Sequence, residues 1–460
     1  MIGKFHQNDS GGGNPPLKKR ISVLAAALVL TGVLSGCGSL NLVFNPQDLY
    51  TLPELPAKYT DLNAQINAIL EDGAEYAAPT AGANIQPVQL TDLDGDGQQE
   101  AVAFFRKPED EKPLKICIFS FQGGSYRQTA VIEGSGSSVY SVVYSDLDGD
   151  GRTELLVGWR INAELQALSV YTLSLSGAAE LLHSVSYVRY ANADLDQDGR
   201  QELIVLHADE EGEGVADYYN WHSEGLFLQS TARVSCTMAE LSQQGRPTLG
   251  VLRDGEPALF LTGVTEQAGA VTDILAVRNG ELGNVVLSEA TGVSSELAPF
   301  CGLYPADING DGVTELPVPT QSGTESLSQQ VDWRAFSLEG GGETVCSTYH
   351  CMEDGWYLHL PAGWPGHMQA ERVSASGEAS VTFYRQEANG SRGAALLRIT
   401  AVTGSGREVR ATRGSRVPLS RQRTTIYTAE LPENGDGTLT IESVRTAFSL
   451  IAQDWIAAYN

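Results

Sequence analysis

Four short segments carry the densest groups of residues that could hold a cation. "DLDGDGQQE" runs from Asp92 to Glu100, "DLDGDGRTE" from Asp146 to Glu154, "DLDQDGRQE" from Asp194 to Glu202 and "DINGDGVTE" from Asp307 to Glu315. Each places oxygen-bearing side chains at positions 1, 3, 5 and 9 and a glycine at position 6. Fifteen of the chain's 57 acidic residues lie in these four segments. Carboxylates this dense are too costly to bury unpaired, and as bare loops they repel one another. Alternate residues of a tight loop point inward, and glycine permits the turn that brings the chain back. The pattern therefore describes oxygens wrapped around a hard cation. Calcium, which takes about six to eight oxygens in flexible geometry, suits it better than magnesium, which prefers a strict octahedron. About four structural calcium ions are expected.

An EF-hand or dockerin loop needs a carboxylate at position 12. Here position 12 is Ala103, Val157, Val205 and Val318. The segments that follow, "EAVAFF", "ELLVGW", "ELIVLH" and "ELPVP", are short, apolar and partly β-branched, without helical period, so the loops lead into strands.

The repeat extends beyond the loop. An aromatic-rich strand ends at a glycine turn 31, 31, 31 and 33 residues after each first aspartate, at Gly123, Gly177, Gly225 and Gly340. A further segment, "ELSQQGRPTLGVL" from Glu240, aligns Gly245 with the loop glycine but offers Ser242, Gln244 and Thr248 where carboxylates belong. It is expected to be a fifth unit of the same shape without metal. Each unit fits four strands; in the second they are "SVYSVVYSD", "ELLVGWR", "ALSVYTLSL" and "AELLHSVSY". Four-stranded units repeating about every 50 residues predict a β-propeller.

From about Gln86 to Met352 these phrases resemble FG-GAP/VCBS repeats, the calcium-loop blades of integrin α-chain propellers and of many bacterial surface proteins. The resemblance implies ion ligands at positions 1, 3, 5 and 9 plus the backbone carbonyl at 7. These are Asp92, Asp94, Asp96 and Glu100 with the carbonyl of Gln98, and Asp146, Asp148, Asp150 and Glu154 with that of Arg152. The third loop supplies Asp194, Asp196, Asp198, Glu202 and the Arg200 carbonyl. The fourth supplies Asp307, Asn309, Asp311, Glu315 and the Val313 carbonyl. The expected architecture is mainly β: a propeller over 84–352 with about five recognisable blades, closure left open, and a small α+β domain over 353–460.

The N-terminus predicts an address. "KKR" at Lys18 to Arg20 precedes a 14-residue apolar run, Ile21 to Leu34, too short for a membrane span and suited to a signal-peptide core. It ends in "LSGC", which resembles the lipobox of bacterial lipoproteins. That resemblance implies a signal peptide over 1–36, cleavage before Cys37 and lipidation of its sulfur, hence an extracytoplasmic protein anchored to a bacterial membrane. A tether over 37–57 and an amphipathic helix over 58–73 are expected next. In that helix Leu62, Ile66, Ile69 and Leu70 share a face and Gly73 is the stop.

A formal charge of −27 argues against nucleic acid as a partner. Besides Cys37, the cysteines at 117, 236, 301, 346 and 351 are odd in number and widely spread, which is no disulfide framework. Only Cys346 and Cys351 are near enough in sequence to suggest a pair. The spacing of Cys351, His350, His359 and His367 matches no zinc pattern. In the C-terminal segment, Val444, Phe448, Ile451 and Trp455 stand at helical spacing, and the basic run "REVRATRGSRVPLSRQR" reads as a solvated loop. No G-x-S-x-G, H-E-x-x-H or phosphate-binding loop occurs. The expected function is a binding or scaffold module for a glycan, cell-wall polymer or surface protein. The alternatives are a propeller-based carbohydrate-active hydrolase or lyase and an envelope assembly or sensory factor.

Overall fold

The computed structural model describes residues 59–451, except 175–178, 223–224, 244, 266–268, 321–327, 434–436 and 438. The chain divides into two units, Met1–Thr60 and Asp61–Asn460. The expected signal peptide, Cys37, the tether and Trp455 lie outside the described residues. No helix among the described residues is long and apolar enough to cross a membrane.

The second unit is mainly β and is built from six antiparallel sheets of four or five strands. The first contains Glu75–Tyr76, Val88–Thr91, Glu100–Arg106, Leu114–Gln122 and Ser125–Gly134; the second contains Ser138–Ser145, Glu154–Arg160, Gln166–Leu173 and Ala179–Tyr187. The third follows with Arg189–Ala193, Glu202–Ala208, Gly214–His222 and Gly225–Arg233. The fourth has Arg246–Val251, Pro257–Val264, Gly269–Arg278 and Glu281–Asn284, with Leu297–Pro299 pairing beside Gly269–Val271. These are propeller blades: each is a meander whose neighbouring strands are joined by short connections.

The inner strands explain why the blades stack. In "ELLVGWR" six of seven residues are buried, and "EAVAFFR" has the same pattern. A strand apolar on both faces must be covered on both. Accordingly Val102, Phe104 and Ile116 of the first sheet share a core with Leu155, Val157 and Trp159 of the second. Leu156 and Val170 of the second join Leu203, Val205 and Tyr219 of the third, and further clusters join third to fourth and fourth to fifth. Three of the glycine landmarks mark hairpin turns between paired strands: Gln122 pairs with Ser125, His222 with Gly225 and Ser337 with Gly340; Gly177 lies outside the described residues.

The expected degenerate loop at Glu240 is a correction. Met238–Gln243 is a helix. "TMAE" is its capping box: the Thr237 amide donates to Glu240 Oε2 at 2.8 Å, and the Glu240 amide donates to Thr237 Oγ1 at 3.2 Å. The fourth sheet's first turn lies later, at Leu252–Glu256, closed by the Leu252 amide on the Glu256 carbonyl at 2.8 Å. Leu252 is fully buried, as are Leu93, Leu147 and Leu195 at position 2 of the acidic loops.

The fifth sheet contains Leu316–Pro319, Ser328–Ser337, Gly340–Cys351 and Trp356–His359, and it takes Phe448–Leu450 from near the C-terminus as its edge. It therefore runs past residue 352. The helical spacing around Phe448 is not realised throughout: the helix is Ile441–Ala447, and Phe448 is already extended, with φ −91° and ψ 131°. Phe448 is drawn into strand pairing by its rings' neighbours, Trp356 and Tyr427. The sixth sheet is Met368–Ala375, Glu378–Gln386, Arg392–Thr403, Thr425–Glu430 and Val417–Arg421; its Val381, Phe383 and Leu397 pack on Tyr349, Trp356 and Leu358 of the fifth. Cys346 and Cys351 form no disulfide. They stand five positions apart on one extended strand, so their side chains face opposite ways.

The amphipathic helix runs Thr60–Glu71 with Leu62 and Ile66 buried. Its Gln65 takes up the edge of the first sheet, donating to the Tyr126 carbonyl at 2.6 Å and accepting from the Gln128 amide at 3.2 Å.

Candidate metal centres

Each acidic loop leads into a buried strand of its sheet: Glu100–Arg106, Glu154–Arg160, Glu202–Ala208 and Leu316–Pro319. The first three loops follow Val88–Thr91, Ser138–Ser145 and Arg189–Ala193, and the fourth is closed by a bridge between Ala306 and Glu315. One hydrogen-bond pattern recurs in all four. The position 1 carboxylate accepts from the position 6 amide: Asp92 from Gly97 at 2.9 Å, Asp146 from Gly151 at 3.0 Å, Asp194 from Gly199 at 3.0 Å and Asp307 from Gly312 at 2.9 Å. The position 3 side chains, Asp94, Asp148, Asp196 and Asn309, accept from the position 5 amides at 3.2, 3.0, 3.1 and 2.9 Å. Asp96, Asp150, Asp198 and Asp311 then accept from the amides of Gln98, Arg152, Arg200 and Val313 at 2.7 to 2.8 Å. The position 9 glutamate closes the loop. One oxygen of Glu100, Glu154, Glu202 and Glu315 accepts from the amide of Leu93, Leu147, Leu195 and Ile308, at 2.8, 2.9, 2.7 and 3.0 Å.

In the third loop this scaffold leaves two carboxylate oxygens unclaimed. Glu202 Oε1 and Asp194 Oδ1 are buried without any hydrogen-bond partner. A buried acceptor left unmade is expensive, and an all-oxygen donor set is what a hard divalent cation takes. Carboxylate oxygens of Asp194, Asp196, Asp198 and Glu202 all lie within 4.8 Å of one another, as do those of Asp92, Asp94 and Asp96, and of Asp146, Asp148 and Glu154. Three loops therefore bring together acidic clusters that could hold a metal ion. The fourth differs: Asn309 Nδ2 donates to Asp311 Oδ2 at 3.0 Å and to Glu315 Oε1 at 3.3 Å, so its amide bridges these two carboxylates.

The glutamates carry the electrostatic strain. Burial, reinforced by the neighbouring aspartates and opposed by the backbone amide, pushes Glu154, Glu202 and Glu315 up to about 7 and raises Glu100. Burial also raises Asp148.

The first three loops lie on consecutive blades and touch in turn, Gly95 against Gly151 and Gly149 against Arg200. The Thr153 amide in the second loop donates to the Leu93 carbonyl in the first at 2.9 Å. A Cβ on Gly95 would sit 2.5 Å from the Gly151 carbonyl oxygen, so the loop tips touch. Thr314 repeats the link in the fourth loop, its amide donating to the Val251 carbonyl at 2.8 Å and its hydroxyl accepting from the Val251 amide at 3.2 Å. Position 8 was visible in "GRTE" and "GVTE" but unassigned from sequence. Supporting donors from other strands carried no sequence signal: Thr172 Oγ1 to Glu154 Oε1 at 3.2 Å, and Asn220 Nδ2 to Asp196 Oδ2 at 3.3 Å. The histidines and Cys351 form no metal group among the described residues. His350 is buried flat against Tyr357, and Cys351 Sγ lies 3.2 Å from Asp354 Oδ2.

Fold and loops together define a blade-built β protein with a row of acidic turns. No protein-family model matches the chain, and no curated protein matches it. Among solved structures it is similar to a putative 6-phosphogluconolactonase from Bacteroides uniformis, at 13% identity and TM-score 0.27 over 67% of this chain and 82% of that one. It is also similar to the Pseudomonas aeruginosa PilY1 C-terminal domain, at 10% identity and TM-score 0.27 over 72% of this chain and 87% of that one.

Proposed function

We propose that the protein is a lipid-anchored extracytoplasmic binding or scaffold module whose FG-GAP/VCBS-like loops hold structural calcium. Its ligand would be a glycan, a cell-wall polymer or a surface protein. The observation that carries the calcium reading is the third loop: four carboxylates converge there while Glu202 Oε1 and Asp194 Oδ1 stay buried and unpartnered. A cation satisfies both oxygens and offsets the mutual repulsion of the group. The membrane reading is supported by the apolar run and "LSGC" at Leu34 to Cys37. The binding reading is supported by the absence from the sequence of any nucleophile or metallohydrolase motif.

The test is calorimetric titration of the chelator-stripped protein with calcium and, separately, magnesium. Binding of three to four calcium ions, with weaker binding of magnesium, is the expected result. No heat and no bound calcium would overturn it. Mass spectrometry of protein from a bacterial membrane fraction tests the anchor: the mature N-terminus should be Cys37 carrying a diacylglycerol.

A further inference from the structure

The outer face of the sixth sheet carries a charge opposite to that of the rest of the molecule. Met368–Glu430 contains ten arginines, five glutamates, no lysine and no aspartate, in a chain of net charge −27. The arginines gather around a short helix, Arg407–Ala411. Ala411 is buried with Val402 and Ile426, which seats the helix on the sheet. Val409 is turned outward and 76% exposed, the most exposed large hydrophobic side chain among the described residues.

Six arginines lie within fourteen residues of Val409 in sequence: Arg407, Arg410, Arg413, Arg416, Arg421 and Arg423. Arg410 is held by the Gly377 and Ser405 carbonyls at 3.0 and 3.2 Å and by that of Thr403. Two carboxylates answer them. Glu378 is shared by Arg410 at 3.4 Å and Arg416 at 2.9 Å, and Glu408 pairs with Arg421. Arg407 Nη2 donates to the Arg423 carbonyl at 3.2 Å and Arg416 Nη1 to the Arg410 carbonyl at 3.2 Å, so helix, loop and turn form one surface. Arg413 and Arg423 are exposed, and their side chains have no hydrogen bond or ion pair among the described residues. Guanidinium groups match phosphate oxygens in a two-pronged geometry. A positive surface around an exposed aliphatic side chain is suited to the boundary of an anionic bilayer, where the charges meet headgroups and the apolar tip enters the interface.

We propose that this face of the sixth sheet docks onto the phosphate headgroups of an anionic lipid membrane, with Val409 entering the interface, independently of any ion in the acidic loops. Charge complementarity selects the occupant: the rest of the chain is strongly acidic and would be repelled by the same surface.

The experiment is vesicle co-sedimentation of the full chain with phosphatidylcholine alone and with phosphatidylcholine containing phosphatidylglycerol, in chelator and again in calcium. An acyl anchor or the apolar run at Ile21 to Leu34 partitions into both, and Lys18 to Arg20 are unchanged in every variant, so the change in the ratio on altering Arg413 and Arg423 isolates the basic face. The anionic vesicles should bind at least about tenfold tighter, and high salt should erase the difference. The double variant R413E/R423E, altering two exposed unpaired side chains, should bring the ratio near one without changing the melting temperature. V409S should weaken binding to both compositions while leaving the salt dependence. Equal binding to both vesicles by the unaltered chain, or an undiminished ratio in R413E/R423E, would overturn the proposal. So would binding to soluble polyphosphate with none to vesicles. Loss of the ratio only when calcium is removed would assign the contact to the acidic loops instead.

Discussion

Position 4 of the acidic loops is glycine in three cases and Gln197 in the third. Gln197 keeps the left-handed backbone, φ 60°, where Gly95, Gly149 and Gly310 have 73°, 75° and 79°. An L side chain there costs about 1 kcal/mol or more. Gln197→Gly should therefore stabilise the protein by about 0.5–1 kcal/mol in urea denaturation, even though it removes the exposed hydrogen bond to Glu256. The position 9 glutamates set a pH dependence. Without metal, Glu154, Glu202 and Glu315 sit at about 7 against an ordinary 4.5. The folded chain then holds more protons than the unfolded one between those values, so metal-free stability should fall as pH rises through that window. Calcium needs these groups ionised, so its affinity should rise through the same window. Denaturation in chelator at pH 5 and 7.5, beside calcium titrations at both, reads the two opposite slopes. Glu202→Gln should flatten the metal-free slope and weaken binding at the third loop at least tenfold.

Among the strands, the last pairing is the test of how the C-terminal segment is held. Phe448 is buried against Trp356 and Tyr427 at ring distances of 5.8 and 5.5 Å. Phe448→Ala should cost about 3–5 kcal/mol by chemical denaturation, where a solvent-facing helical residue would cost little. This element also marks the limit of sequence reading. The strands after each acidic loop were legible because apolar residues run unbroken through their centres and their turns recur at nearly fixed distance. Val444, Phe448 and Ile451 keep helical spacing, yet Phe448 goes to a strand, because a partner edge at Trp356–His359 lies nearly a hundred residues upstream and leaves no local trace. "TMAE" at Thr237 to Glu240 was legible as a helix start, but the neighbouring glycine at 245 drew the repeat alignment instead. Of the candidate sites, the aspartates and glutamates could be read directly from spacing. The donors that position them, Asn220 and Thr172, come from strands whose sequence neighbours say nothing of a site.

At the scale of the molecule, consecutive blades share cores and their acidic turns touch, through Thr153 to Leu93 and Gly95 against Gly151. An ion in one loop therefore fixes a segment against which the next is packed. At calcium about a hundredfold above Kd, each site would contribute about 2.7 kcal/mol. The fourth blade, with only the short turn Leu252–Glu256, should contribute none. The most direct test is thermal melting of the full chain at neutral pH in excess calcium and in excess chelator. The transition should rise by at least about 10 °C in calcium, with magnesium giving less. Superimposable melting curves in calcium and chelator would contradict it, leaving the four carboxylate loops as turns that fold without a metal.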